Sequence, residues 1–191
     1  MRERTRICGL RALSLMGAAS VVAGERPAAG EPQASAGVTV GAVFPGVVGP
    51  RGPVGLHLGG RADVLLLRGG DHDMGVGPYV DVATSEFHDV DVGGGVEWLV
   101  PITEDVPVVA SAGVLARNGG GRSWAPGAEG TLFVGSRSYN FHSWYGLAVG
   151  FFAQGRWIPE SPATFDVIGG VQIDAELLAM PFLFLYTAIT H

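Results

Sequence analysis

The chain has 191 residues, 31 of them glycine, and its 12 cationic residues are all Arg, set against 18 acids for a net charge of -6. Glycine is about 16 per cent, where roughly 7 per cent is usual. A hydrophobic share of 47 per cent excludes a disordered chain, and aperiodic glycine excludes a collagen-like one. An acidic chain without Lys lacks the clustered basic surface that a nucleic-acid partner needs.

Arg2, Arg4, Arg6 and Arg11 precede an apolar stretch from Ala12 to Ala23. That order predicts an N-terminal signal peptide, with an apolar stretch too short to span a bilayer as a helix. The expected boundary follows Ala34-Ser35-Ala36, with an earlier site ending at Ala23 as the alternative. Residues 1–36 are then signal and leader, and 37–191 form one domain. Loss of 1–36 removes five Arg and three Glu and leaves the rest at -8. Cys8 is the only cysteine, so the body of the chain holds no disulfide, no thiolate metal site and no Cys nucleophile.

From Gly37 onward the chain alternates with a period of two, which a helix cannot present as one face. Val38, Val40, Ala42 and Phe44 share one side. Leu56, Leu58, Ala62, Val64 and Leu66 oppose His57, Arg61 and Asp63. Val90, Val92, Val96, Trp98 and Val100 oppose Asp89, Asp91 and Glu97. Phe165, Val167, Val171, Ile173, Ala175 and Leu177 oppose Asp166, Gln172, Asp174 and Glu176. The predicted strands are 37–46, 53–67, 75–86, 89–100, 106–117, 128–138, 144–157 and 164–178. Short Gly-, Pro- and Asp-rich links make successive strands antiparallel. Eight long strands in sequence suit an up-and-down barrel, because closure removes the exposed edges of a meander.

Three features indicate which face is inside. The polar face carries Gly55, Gly59, Gly93, Gly95, Gly113, Gly146, Gly150 and Gly170, and strand glycine is tolerated where space is tight. It also mixes charge signs, Arg61, Arg137 and Arg156 with Asp63, Asp81, Asp91, Glu97, Glu129 and Asp174, as a satisfied lumen requires. Large aromatics of the apolar face, Phe44, Trp98, Trp157 and Phe165, fall near strand ends, as an interfacial girdle requires. The expectation is an all-β, eight-stranded antiparallel transmembrane barrel. No helix substitutes for it, since the longest apolar run, Leu177 to Ile189, has Pro181 inside it.

Over residues 37–178 this pattern resembles the small eight-stranded outer-membrane β-barrel proteins of Gram-negative bacteria. The resemblance implies an outer-membrane location, outer-membrane lipid and the barrel assembly machinery as partners, short periplasmic turns and longer outer loops. The chain departs from that class at its end. Met180-Pro181-Phe182-Leu183-Phe184-Leu185-Tyr186 runs on to His191, where an alternating strand closing on Phe or Tyr is usual. Its outer loops are also short.

No motif supports catalysis. Barrels resembling lipid A deacylases place a His and a Ser two residues apart, whereas His142 and Ser143 are adjacent and face opposite ways on a strand. Asp71-His72-Asp73 reads as a surface turn, and Asp89 and Asp91 read as partners of lumen Arg. Gly93-Gly94-Gly95 and Gly119-Gly120-Gly121 lack the following Lys-Ser/Thr of a phosphate loop. The expected lumen is plugged, with Arg137 and Arg156 clamping Glu97 and Asp174. No cofactor or metal is expected, and any small-molecule ligand is left open. The functional expectation is a structural or interaction role. The alternatives are a soluble lipocalin-like barrel with an apolar ligand and a lipid-modifying outer-membrane enzyme.

Overall fold

Alternating apolar and polar residues, rich in Val and bounded by turn formers, produce eight strands. The computed structural model describes residues 32–48, 52–70, 72–103, 106–119, 123–137, 149–160, 162–175, 177–179, 186–187 and 189. The strands are β1 (Gln33–Val48), β2 (Gly55–Leu65), β3 (Gly75–Ser85), β4 (Asp89–Pro101), β5 (Pro107–Gly119), β6 (Ala125–Gly135), β7 (Val149–Ile158) and β8 (Thr164–Asp174). Each pairs antiparallel with its neighbours in sequence, and β1 pairs with β8 to close an all-β barrel. Both β1's first residue and β8's last lie at one end, hereafter the terminal end.

Several boundaries differ from those the sequence suggests. β1 begins at Gln33, with Ala34 and Ala36 paired to Val64 and Ala62 of β2. A boundary after Ala36 therefore falls inside the barrel wall, whereas one at Ala23 leaves β1 whole. β8 ends at Asp174, and Ala175 and 177–179 are helical, so Ala175 and Leu177 do not extend the strand. Alternation continues past Asp174 in the sequence, but Gly37 is the last β1 residue paired with β8, although β1 itself runs on to Gln33 along β2. β6 starts at Ala125 and stops at Gly135, leaving Arg137 beyond it. Residues 1–31 of the expected signal and leader, Gly146, the start of the predicted seventh strand, and Met180 to Leu185 lie outside the described residues.

The register gives the barrel its girth. The register lines up Ala34 with Val64, Pro78, Val96, Ala112, Gly130, Gly155 and Val167 and returns to β1 at Phe44, ten residues further on. That stagger tilts eight strands by about 40° and leaves an interior only wide enough for side chains. Pro78 has no N–H, and the β2–β3 ladder is interrupted there before resuming in register at the Leu66–Val76 bridge. On β1 the register against β8 shifts between Phe44 and Val48; Gly46 sits in this bulge at φ 64° and donates its N–H to Asp166 Oδ1 at 2.8 Å.

Glycine makes the narrow section possible. Gly41 faces Gly170 across β1–β8, and Gly95 faces Gly113 across β4–β5. A Cβ on Gly95 would lie 2.2 Å from the Ala112 carbonyl oxygen, and one on Gly113 would lie 2.5 Å from Tyr79 Oη. On the outer face, a Cβ on Gly169 would meet nothing within 4 Å. Gly95→Ala is thus expected to lower stability by at least about 1–3 kcal/mol. Gly169→Ala should stay within about 0.5 kcal/mol. Urea unfolding midpoints of the two variants check the difference.

Candidate functional site: a charged lumen

Because side chains alternate across each strand, one face of every strand points into the lumen. The buried side chains there include Arg61, Asp63, Asp81, Asp91, Glu97, Glu129, Arg156, Asp166 and Asp174. Arg137, just past β6, turns back and is buried with them. Every charged residue assigned to the lumen from the sequence therefore lies inside it. Arg117, Asp166, Tyr79, His57 and Gln154 join them; alternation puts His57 and Asp166 on the polar face, but none of the five was assigned to the charge network. Arg117 and Asp166 carried a usable signal: Asp166 shares the parity of Asp174 on β8, and Arg117 shares that of Gly113 on β5.

Near the terminal end, Arg137 Nη2 pairs with Asp63 Oδ2, and Arg137 Nε lies 3.4 Å from Asp174 Oδ1. Ser35 Oγ donates to Asp174 Oδ2 at 3.2 Å and accepts from Arg137 at the same distance. Arg61 Nη2 donates to Glu97 Oε2 at 2.8 Å, and Arg61 Nε lies 3.9 Å from Asp63. Near the opposite end, Arg117 is bidentate on Asp91 at 2.7 and 3.2 Å and bonds Asp166 at 2.7 Å. Arg156 pairs with the same Asp91 through its Nη1 and approaches Glu129 to 3.8 Å.

The expected clamp is thus rearranged. Arg137 does hold Asp174, but Arg61 takes Glu97, and Arg156 takes Asp91. The reason is height along the barrel: Asp174 and Glu97 lie toward the terminal end, while Arg156 lies near the far end of β7. Strand parity reports the face a residue occupies, whereas the partner it meets depends on the stagger between strands.

A central layer joins the two clusters. Tyr79 Oη donates to Glu129 Oε1 at 2.8 Å, and the Gln154 amide donates to Glu129 at 3.2 Å and to Asp81 at 3.3 Å. The Arg61 guanidinium stacks 3.9 Å over the Tyr79 ring. Among the described residues, seven carboxylates and four Arg make up this network, a fifth guanidinium, Arg68, being buried at the terminal end against Gln33, so neutral donors complete the set: Ser35, Tyr79, Gln154 and the Gly46 N–H. Such a network is favourable only when its members are partnered, because an isolated buried charge is costly. A void of about 20 Å³ lined by Thr39, His57, Arg61, Asp81, Gln154 and Gln172 has room for about one water. Apolar side chains fill other parts of the interior: Leu65, Leu99, Val109, Phe133 and Phe152 among one group, and Leu115, Ala125 and Ile158 in a second.

The aromatic residues chosen as a girdle are on the outside. Trp157 pairs with Phe165 at the far rim, Phe44 lies on the adjoining β1, and Trp98 lies toward the terminal end of β4. Phe151, strongly exposed on the outer face of β7, was not selected because it lies in the middle of its predicted strand. Asp73 closes a turn by accepting from the Gly69 N–H at 2.9 Å, while Asp71 lies outside the described residues, as do His142 and Ser143. Asp91 meets lumen Arg as expected, and Asp89 packs against Gly119. Among the described residues no three His, Cys, Asp or Glu converge as metal ligands.

No protein-family model matches the chain, and neither a curated protein nor a solved structure matches it.

Removing Arg137 leaves buried Asp63 with only the more distant Arg61, 3.9 Å away, and takes a guanidinium from Asp174. Arg137→Ala is expected to destabilise the barrel by about 3–5 kcal/mol, as breaking a buried ion pair does. Arg117→Ala should act similarly through Asp91 and Asp166. Thermal and urea unfolding of both variants measure the loss; a wild-type midpoint in either would show that its cluster contributes little.

Proposed function

We propose that this protein is a small outer-membrane barrel with a side-chain-plugged lumen and a structural or interaction role, exported by its N-terminal segment. The observation that carries the reading is the polarity of the wall. Among the described residues, the outward positions of the eight strands, from Ala34 on β1 to Ile173 on β8, hold no charged residue. Only Thr84 and Asn118 are polar, both near the rim opposite the terminal end. Val80, Val82, Val114, Leu132 and Phe151 stand exposed in the middle of this belt. Water-soluble proteins rarely expose a continuous apolar surface of such extent, whereas lipid favours it.

Strands of 10 to 16 residues meet the 9–11 that a tilted transmembrane strand needs. Closure supports the same setting, since an open sheet edge in hydrocarbon would leave backbone groups unpaired. Trp98 at one level and Phe44, Trp157 and Phe165 at the other fit the two interfaces. A lumen crowded with ion pairs and holding a void of about 20 Å³ suits a plug, not a pathway for solutes. A soluble lipocalin-like carrier would need the reverse arrangement, an apolar cavity inside and polar side chains outside.

The protein is therefore expected in the outer-membrane fraction, as a band whose gel mobility changes on heating. Recovery in the soluble fraction would overturn the reading. Overproduction should leave lipid A unchanged; a modified lipid A would favour the enzymatic alternative instead.

A further inference from the structure

Among the described residues, three that are not glycine adopt left-handed backbone conformations: Leu67 at φ 67°, Glu86 at φ 53° and Phe87 at φ 60°. Such conformations are uncommon outside Gly, Asn and Asp, and for bulky residues they are outliers. Glu86 and Phe87 form the tight link between β3 and β4, where Asn-Gly is the usual solution. Neither apolar member recovers this cost by burial. Leu67 and Phe87 are each 72 per cent exposed, among the most exposed large hydrophobic side chains of the described residues.

Their placement is systematic. Leu67 follows the Leu66–Val76 bridge at the terminal end of β3, and Phe87 follows Ser85 at its other end. With strands tilted about 40°, the 11 residues of β3 climb roughly 27 Å, close to the ~30 Å hydrocarbon core of a bilayer. Met74 and Ile102 stand exposed beside Leu67's level, and Val54 and Trp124 beside Phe87's. The apolar belt thus continues past the strands onto the turns at both ends.

We propose that these turns are lipid anchors: Leu67 and Phe87 are held in strained turns so that their side chains insert at the headgroup–acyl boundary of opposite leaflets. The inference rests on the membrane reading above and adds depth to it. It makes both turn ends shallow, with connections of β3 seated in the interface and not raised above it. The chemistry is that of an amphipathic boundary, where an apolar side chain is buried while the adjoining turn backbone stays hydrated.

Site-directed spin labels test it in the full chain refolded into phosphatidylcholine vesicles, with Cys8→Ser removing the native thiol. Labels at Leu67→Cys, Phe87→Cys and, mid-belt, Val82→Cys report depth by their relative accessibility to oxygen and to a water-soluble nickel complex. The expected result is Val82 deep in hydrocarbon and both turn labels at the headgroup boundary. Turn labels freely accessible to nickel with Val82 in hydrocarbon overturn the anchors and leave the membrane reading intact. A Val82 label accessible to nickel in the folded barrel overturns both.

Discussion

Closure of β1 against β8 is the constraint on which the rest of this structure depends. Eight strands returning on themselves with a stagger of ten residues enclose a narrow interior, and every strand must place alternate residues in it. The interior cannot hold a large side chain at every such position. Glycine pairs such as Gly41 with Gly170 and Gly95 with Gly113 let the wall close where full side chains would collide with backbone. The glycines of the inner face are thus a consequence of diameter.

What remains of the interior is filled in an unusual way, with charge. Seven carboxylates and four guanidiniums are removed from bulk water, which is favourable only if their hydrogen bonds are replaced. The bidentate Arg117–Asp91 pair, the contacts of Arg137 with Asp63 and Asp174, and the Tyr79–Glu129–Gln154 layer supply that replacement. Because these partners, with Ser35 of β1 beside Asp174 and Arg137, come from all eight strands or their ends, the network ties opposite sides of the wall together. An apolar filling would pack as densely without specifying which strands face one another across the lumen, so the charges also select one closed arrangement.

The inside and outside of the barrel thus exchange the roles they have in most soluble proteins. Polar groups occupy the packed interior, and Val, Leu, Ala, Phe and Trp coat the exterior. In the proposed lipid setting the outer face gives up its apolar surface to acyl chains, and the charge network gives the interior its cohesion. The charge pattern of the wall follows: among the described residues the outer face of the strands carries no charge, and inside the lumen, where seven carboxylates face four guanidiniums, Arg serves better than Lys, because its planar fork bonds two carboxylate oxygens at once.

The sequence by itself determined the strand character, the antiparallel order and the two faces of the wall, because a period of two assigns each residue a side without reference to any distant partner. It also selected the charges that would be buried, apart from Arg68, Arg117 and Asp166. It did not determine where β1 begins or β8 ends, since alternation persists wherever residue types permit, whereas in the fold β1 begins opposite Leu65, the last residue of β2, and β8 leaves the sheet for a helical residue at Ala175. Nor did it identify the partner of each Arg. Arg156 meets Asp91 and not Glu97 because the stagger and tilt set relative heights, and these exist only once the barrel has closed. The left-handed turns at Leu67 and Phe87 belong to the same class: nothing in their residue types requests that backbone, and the geometry of joining tilted neighbouring strands imposes it.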